Sequence, residues 1–357
     1  MDLHKNELKD GAIIVYDREK FEVNLSEFPS GNVILYDLPL NKLTLSAGAD
    51  KVMENNVALG VTMAIFKMDL EVLIEIINEI FAKKGAEVIN KNTKAAQAGF
   101  DYVTSHPPQN FSLSLPKKKN SIQMIVAGNE AVGLAAITAG CKFFVAYPMT
   151  PSSSLMHFMA EHGQKNGVVV KHAEDEISVI NMAIGASYAG VRSMLGTAGG
   201  GFSLMVEGLG LAGITETPLV LMVGQRPGPA TGMPTWTSQG DLHFVINASQ
   251  DEFPRIVLAP GDVEEAFYLT FEAFNLADYY QTPVFILTDK YIGESHESVN
   301  LFKLENLTVN RGKLLSFEEG EKQEGYLRYK ITDDGIQTRA LPGMKKTVFT
   351  ANSYEHD

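Results

Sequence analysis

The sequence contains few of the residues that build metal and membrane sites. Its 357 residues include one cysteine, Cys141. A single thiol excludes a disulfide framework, a cysteine zinc site and an iron–sulfur cluster held by this chain alone. No segment approaches the roughly 20 apolar residues of a membrane-spanning helix, and the first residues contain no apolar signal region. These absences predict a cytoplasmic protein.

Positive charge is also scarce. The chain has 30 Lys and Arg against 43 Asp and Glu, which gives a formal net charge of −13. Nucleic-acid binding needs clustered Lys and Arg to contact phosphates, so this balance argues against nucleic acid as the main partner. The one basic run, Lys117–Lys119, lies in a polar segment and is interpreted as a solvated tether.

Two hydrolase motifs are absent as well. The sequence has no HExxH pair and no GxSxG elbow, so it gives no support for a zincin protease or an α/β-hydrolase. Four scattered histidines have no metal-ligand spacing and are interpreted as structural: His157, His162, His172 and His243.

The first part of the chain, residues 1–103, is predicted to be a smaller N-terminal α/β domain. It has two candidate strands and three helical stretches, with Asp69 as a cap of the second helix. The strands are predicted at 12–16 and 32–36, and the helices at 57–65, 70–80 and 86–99. Residues 104–121 combine Pro-Pro, polar residues and the basic run, which is typical of a linker.

From residue 122 onward, predicted strands and helices alternate. The strands cover 122–127, 143–146, 168–170, 191–195, 219–223, 255–258 and 283–287. The helices cover 130–139, 153–162, 175–188, 202–212 and 263–279. Such alternation implies right-handed crossovers and a mostly parallel sheet with helices on both faces, so the predicted fold class of residues 122–298 is α/β. Residues 299–357 are predicted to be an extended tail with short extended segments at 326–330 and 347–350.

Polar residues gather in residues 146–178, where two predicted strands end. In an open α/β sheet, ligands bind outside the carboxyl ends of the strands. Tyr147 and Thr150 lie in a Tyr-Pro-Met-Thr-Pro stretch, whose prolines restrict the backbone. A turn explains this stretch, and so does a rigid loop whose two hydroxyl groups bind a polar substrate.

Three consecutive acids, Glu174–Glu176, open a predicted helix. Acids are favoured in a first helical turn by the helix dipole, so capping and solubility explain them. The functional alternative places one carboxylate at the mouth of the sheet, where it bonds to a ring nitrogen or acts as a base.

Two glycine-rich loops also follow predicted strands. Gly196–Gly201 is either a ligand cradle or a tight strand–helix turn, since this run lacks both the Walker lysine and GxGxxG spacing. Gly224–Gly240 is long and holds Arg226 and the only tryptophan, Trp236. An arginine directly after a buried strand is either a bidentate carboxylate clamp or a surface residue.

Taken in order, these motifs resemble the α subunit of 2-oxoacid:ferredoxin oxidoreductases, in particular the 2-oxoglutarate type. The similar stretches are AYPMTPSS (146–153), AEDEISVINMAIGASYAG (173–190), GFSLM (201–205) and GQRPGPATGMPTWTSQGDL (224–242). The resemblance implies that residues 122–298 form the pyrimidine-binding domain of a thiamine-diphosphate enzyme. It also implies that residues 1–103 are part of a γ domain fused upstream. Met149 stands where the family usually has Ile, and the glycine run replaces Ser-Gly-Pro-Gly-Phe.

The resemblance implies an activity and a set of site residues. Members of the family decarboxylate a 2-oxoacid oxidatively with coenzyme A, which yields an acyl-CoA and carbon dioxide and reduces ferredoxin. Glu176 matches the catalytic carboxylate that hydrogen-bonds the aminopyrimidine of thiamine diphosphate. Thr150 and Arg226 match contacts to the substrate, and Tyr147 is a further candidate for substrate binding. A β subunit is implied, which supplies the diphosphate-binding half with Mg²⁺ and the [4Fe–4S] cluster.

Two other functions remain open from the sequence. One is a different thiamine-diphosphate enzyme subunit, such as a decarboxylase or a transketolase-like half, and the other is a truncated scaffold that binds no cofactor. The Gly-rich start of a γ domain and the domain that normally follows residue 357 are not seen, so the sequence predicts a split subunit or an incomplete chain.

Overall fold

The computed structural model describes residues 5–24, 26, 28, 32–111, 113–115, 122–352, 354 and 356. The chain divides into two compact units, Met1–Asn120 and Ser121–Asp357. The basic run Lys117–Lys119, which we interpreted as a tether, lies outside the described residues.

The first unit combines a pair of parallel strands with helices. The strands are β1 (Ile13–Tyr16) and β2 (Ile34–Asp37), and the helices are α1 (Leu40–Ser46), α2 (Glu54–Ile65), α3 (Leu70–Phe81) and α4 (Ala86–Ser105). Asp69 caps α3 as predicted, since its side chain accepts a hydrogen bond from the N–H of Glu71. Helix α4 runs past its predicted end at Gly99, because this glycine packs against α2. A Cβ there would lie 2.1 Å from the carbonyl oxygen of Val57.

The second unit is built on a parallel sheet. Its strands are β3 (Gln123–Ala127), β4 (Cys141–Ala146), β5 (Val169–His172), β6 (Arg192–Ala198), β7 (Leu219–Gln225), β8 (Ile256–Leu258), β9 (Pro283–Asp289) and β10 (His296–Asn300). Six of these described strands form one sheet in the order β5-β4-β6-β7-β9-β8, and every pair in it is parallel. The predicted α/β fold with a mostly parallel sheet is confirmed.

Helices cover both faces of this sheet. They are α5 (Gly128–Thr138), α6 (Ser153–His162), α7 (Glu176–Tyr188), α8 (Gly199–Phe202), α9 (Val206–Ile214), α10 (Leu242–Asn247), α11 (Val263–Tyr280), α12 (Lys290–Glu294) and α13 (Phe317–Glu321). Helices α5, α6 and α11 pack in one apolar cluster, and α7, α9 and α10 pack in another. Strands β6, β7 and β9 are buried along their whole length, as expected for a sheet covered on both faces.

Two of the predicted elements are wrong in detail. The first predicted strand does not join the parallel sheet, because β3 pairs with β10 in a separate antiparallel ribbon. Ile125 is 74% exposed and the next residue, Val126, is 3% exposed, which is typical of a ribbon covered on one face. The single helix predicted at 202–212 is two helices, α8 and α9, separated by residues 203–205.

The segment after β10 is irregular and is held mainly by side chains. The extended segments predicted at 326–330 and 347–350 form no strand among these described residues, and a turn includes Arg328. Arg328 bonds to both the side chain and the carbonyl oxygen of Glu216, which fixes this backbone without strand pairing. Phe302 stacks on Phe267 of α11 with ring centroids 4.0 Å apart.

The strand order leaves a crevice between β4 and β6. The connection after β4 leads to α6 on one face, whereas the connection after β6 leads to α8 and α9 on the other. Ligands bind at such a switch point, outside the carboxyl ends of the strands. In the part of the chain that the structure describes, no helix is long and apolar enough to cross a membrane.

Candidate functional site

The loop after β4 places Thr150 at the crevice. The Thr150–Pro151 peptide bond is cis. Asn129, which is buried in the first turn of α5, donates from Nδ2 to the carbonyl oxygen of Pro151 at 2.8 Å and to Oγ of Ser154 at 2.7 Å. Helix α5 therefore fixes the backbone on which Thr150 is carried.

Arg226 follows β7 directly and contacts the same loop. Its Nη1 donates to the carbonyl oxygen of Thr150 at 2.5 Å. Gly224 lets the two loops approach each other, since a Cβ at this position would lie 2.9 Å from Cγ of Pro151. Burial lowers the pKa of Arg226, but a guanidinium stays charged at neutral pH. Among the described residues, its other N–H groups have no hydrogen-bond acceptor, so they can bind an anionic ligand.

The three acids at the start of α7 separate into two roles. Asp175 caps the helix, since its Oδ1 accepts from the N–H of Ser178 at 2.7 Å, and this bond holds the pKa of Asp175 below its ordinary value. Glu174 accepts from Oγ of Ser178 at 2.9 Å. Glu176 is 4% exposed, and its Oε1 has no hydrogen-bond partner among the described residues. Helix capping therefore accounts for Asp175, and a bond to the Ser178 hydroxyl accounts for Glu174. Neither accounts for the buried Glu176.

An unpaired carboxylate oxygen in a protein interior is unfavourable, because burial removes its water without providing a donor. Such an atom is typical of a site that a ligand completes. Glu176 is the first residue of α7, at the carboxyl edge of the sheet where ligands bind in open α/β folds.

The glycine run after β6 packs against two carboxyl groups. A Cβ on Gly201 would lie 2.7 Å from Oε1 of Glu176, and a Cβ on Gly199 would lie 2.5 Å from Oδ2 of Asp241. The N–H of Gly201 donates to Sδ of Met149 at 3.1 Å. Close packing therefore accounts for Gly199 and Gly201.

A cavity of about 530 Å³ opens in front of these loops. Its lining includes Met149, Gly199, Gly200, Ser203, Arg226 and Asp241, together with the start of the long loop after β7. The crevice, the arginine and the glycine turn thus share one space.

The structure brings together most of the predicted site residues. Thr150 and Arg226 are in direct contact, and Glu176 is joined to their loop through Gly201 and Met149. Tyr147 is 37% exposed and its ring lies 6.2 Å from that of His172. No described contact joins Tyr147 to the other three predicted residues.

Sequence reasoning missed two polar residues at this edge. Asn129 lies between the apolar end of β3 and the start of α5, and no motif singled it out. Asp241 follows the long glycine-rich loop within the quoted motif, but no spacing singled it out. Across the described residues, no group of three or more His, Cys, Asp or Glu could hold a metal ion.

Comparison with known protein families decides the relationship. Residues 134–357 match the family described as pyruvate flavodoxin/ferredoxin oxidoreductase, thiamine-diphosphate-binding, and residues 1–102 match pyruvate ferredoxin/flavodoxin oxidoreductase. The chain belongs to this oxidoreductase family. The resemblance found in the motifs is confirmed, and the larger unit carries the family's thiamine-diphosphate-binding domain.

Individual relatives agree with the family match. The chain is 38% identical over 319 residues to 2-oxoacid:ferredoxin oxidoreductase 1, subunit alpha, of Sulfurisphaera tokodaii, covering 85% of this chain and 49% of that protein. It is 43% identical over 228 residues to 2-oxoglutarate synthase subunit KorA of Archaeoglobus fulgidus, covering 62% and 64%. The chain spans about half the length of the first curated relatives that it matches.

A solved structure is also similar over the whole chain. It is the 2-oxoglutarate:ferredoxin oxidoreductase from Magnetococcus marinus with 2-oxoglutarate, coenzyme A and succinyl-CoA bound. The TM-score is 0.91 at 35% identity, and the match covers 100% of this chain and 61% of that one.

Proposed function

We propose that this chain is the α subunit of a 2-oxoacid:ferredoxin oxidoreductase that acts on 2-oxoglutarate. The reaction would be oxidative decarboxylation with coenzyme A to succinyl-CoA and carbon dioxide, with ferredoxin as the electron acceptor. The observation that carries the proposal is the buried Oε1 of Glu176, which lacks a donor at the carboxyl edge of a family thiamine-diphosphate domain. The choice of acid rests on the names of the relatives.

The residues at this edge fit the aminopyrimidine end of thiamine diphosphate. Oε1 of Glu176 would accept a hydrogen bond from a ring nitrogen and hold the proton there, which supplies the donor that the buried oxygen lacks. The absence of a side chain at Gly201 allows the carboxyl group of Glu176 to pack against this backbone, since a Cβ there would lie 2.7 Å from Oε1. When bound, the cofactor supplies the electron sink for loss of carbon dioxide.

The other residues of the site would bind and orient the 2-oxoacid. The free N–H groups of Arg226 match a carboxylate in a bidentate arrangement, and the bond from Nη1 to Thr150 holds the guanidinium beside the loop. The hydroxyl group of Thr150 would donate to the carboxylate or keto oxygen. Tyr147 would contact the substrate at the edge of the site, a role supported only by its place in the Tyr-Pro-Met-Thr-Pro motif.

A β subunit completes the proposed enzyme. One cysteine cannot hold a [4Fe–4S] cluster, so the partner would supply the cluster, the Mg²⁺ ion and the diphosphate-binding half. The designation "subunit alpha" in the names of relatives supports a multi-subunit enzyme. We also propose a cytoplasmic location, where ferredoxin and coenzyme A would be available.

The reaction is tested with the assembled enzyme. The chain is co-expressed anaerobically with a candidate β subunit, and viologen reduction is measured with a panel of 2-oxoacids, coenzyme A and thiamine diphosphate. We expect reduction that requires all three components and is fastest with 2-oxoglutarate. A complex that forms but reduces viologen with no acid would favour the scaffold instead, and reduction without coenzyme A would favour another thiamine-diphosphate enzyme.

The role of Glu176 is tested by substituting Gln. We expect Glu176→Gln to lower kcat at least about 100-fold, since an amide cannot hold the ring proton as a carboxylate does. Thiamine-diphosphate binding is measured by calorimetry in the same complex, to separate loss of chemistry from loss of the cofactor. Glu174→Gln is the matched control and should keep full activity, because Glu174 is exposed and bonds only to Ser178. Full activity of Glu176→Gln would refute this role.

A further inference from the structure

An acid with no role so far, Asp241, lines the same cavity as Arg226. Asp241 directly precedes α10 and lines the cavity of about 530 Å³. Its Oδ2 is buried and has no hydrogen-bond partner among the described residues. None of the roles proposed above uses this oxygen.

Contacts on two sides hold Asp241 in this position. Its N–H donates to Oε1 of Gln225 at 3.0 Å, and Gln225 is the buried last residue of β7, next to Arg226. On the other side, Gly199 has no side chain where a Cβ would lie 2.5 Å from Oδ2. The carboxyl group of Asp241 therefore packs against the backbone of Gly199, at the wall of the cavity that Arg226 also lines.

Few charged groups surround this carboxyl group. Arg226 forms no ion pair with it in the described structure, and neither α8 nor the loop 227–240 contains a titratable residue. On α10 the nearest such residue is His243, which is exposed. Asp289 at the end of β9 is engaged by Nε2 of Gln239 at 2.7 Å, and Glu176 contacts the other end of α8.

Burial raises the pKa of Asp241. Its protonated form therefore persists to higher pH than that of an ordinary aspartate. A protonated carboxyl group is a hydrogen-bond donor, whereas an ionised one only accepts and would repel an anionic substrate.

We propose that protonated Asp241 donates a hydrogen bond from its carboxyl group to an oxygen of the 2-oxoacid whose carboxylate Arg226 binds. This inference rests on the proposed function. The cavity offers one cation and one unpaired acid, and a 2-oxoacid brings a carboxylate with a keto oxygen beside it. The cation matches the carboxylate, and the protonated acid matches the remaining oxygen.

The experiment measures kcat and KM for 2-oxoglutarate against pH in the assembled enzyme with its β subunit. Asp241→Ala removes the donor, so kcat/KM should fall at least about tenfold, as for other lost hydrogen bonds to buried partners. Asp241→Asn keeps a donor that does not titrate. This variant should retain most of the wild-type kcat/KM at low pH. At alkaline pH its kcat/KM should decline less than that of the wild type, because residue 241 no longer ionises.

Asp251→Asn is the matched control, since Asp251 is exposed and outside this cavity. The thermal unfolding of every variant complex is measured beside its kinetics, and a purely structural role would change stability without changing the pH profile. An active wild-type complex with unchanged kcat/KM in Asp241→Ala would overturn this inference alone. Equal losses in Asp241→Asn and Asp241→Ala at every pH would overturn the donor role. A wild-type complex inactive with every 2-oxoacid would overturn the proposed function as well.

Discussion

Asn129 connects helix α5 to the loop that carries Thr150. Its side chain is 1% exposed, and its two donor bonds reach Pro151 and Ser154 on either side of the entry to α6. Because the carbonyl oxygen of Pro151 lies one residue beyond Thr150, this amide sets the position of a predicted substrate contact without touching the substrate. Asn129 is thus a positioning residue.

We expect Asn129→Asp to raise the KM for the 2-oxoacid about fivefold or more while kcat changes less. Aspartate has the same shape but places an acceptor where the carbonyl oxygen of Pro151 needs a donor. The lost hydrogen bond should cost about 1–3 kcal/mol of stability. Steady-state kinetics of the assembled enzyme and urea unfolding of the chain provide the two measurements. Asn181→Asp is the control, because Asn181 is exposed and bonds only within α7. A stability loss with an unchanged KM would limit Asn129 to a structural role.

At the residue scale, the sequence predicted the site only in part. Thr150, Arg226 and Glu176 were recognisable because they lie in short motifs after predicted strands. Asp241 and Asn129 were not, because their roles depend on long-range contacts with Gly199 and Pro151 that have no local pattern. The sequence also could not show which of the three acids caps α7 and which is buried. Burial of Glu176 depends on residues from distant parts of the chain that pack over it.

Three parts of the chain meet at a buried ion cluster on the edge of the sheet opposite the site. Asp278 of α11 pairs with Arg192 at the start of β6 at 2.8 Å, and with Arg311 and Arg339 of the segment after β10 at 2.7 and 2.9 Å. Burial lowers the pKa of Arg339 to about 10 and also lowers that of Arg192. One carboxylate therefore holds three guanidinium groups, which makes it the critical member of the cluster.

Asp278→Asn should lower the free energy of unfolding by about 3–5 kcal/mol, because it leaves buried guanidinium charges without a counter-ion. Urea denaturation followed by circular dichroism measures this loss. Asp334→Asn provides the comparison, since the Asp334–Lys313 pair is exposed and should contribute much less. Equal effects of the two substitutions would contradict the importance given to burial.

At the element scale, periodicity located nearly all strands and helices of the parallel sheet. It failed where a boundary depends on a distant partner. The sequence of β3 does not say that it pairs with β10, and the pattern from 202 to 212 continues through a break between α8 and α9. Gly99 looked like a helix end but is a helix contact.

At the scale of the second unit, the segment after β10 is part of the packed structure. Phe302 covers Phe267, Arg339 joins the Asp278 cluster, and Arg328 is bound to Glu216. The sequence suggested a polar tail without a core, because its apolar residues are few and its ion pairs reach across more than 60 positions in the chain.

Deleting residues 301–357 should therefore destabilise the second unit strongly. Asp278 would lose two of its three partners, and Phe267 would be exposed to water. We expect a lower soluble yield and urea unfolding at clearly lower concentrations. Deleting residues 353–357 keeps every arginine pair and removes the stack of His356 on Tyr329, so it should lower the stability far less. If both truncations unfold like the full chain, the segment is dispensable for the fold.

The bond from Gly201 to Met149 links the chain's two departures from the usual family motifs. An isoleucine at 149 offers no acceptor, so the Met149→Ile change by itself would leave the N–H of Gly201 unpaired. The glycine run cannot easily gain a side chain at 201 either, because Glu176 and Thr197 fill that space. Positions 149 and 201 are therefore coupled through this contact, and the effect of a substitution at one of them should depend on the residue at the other.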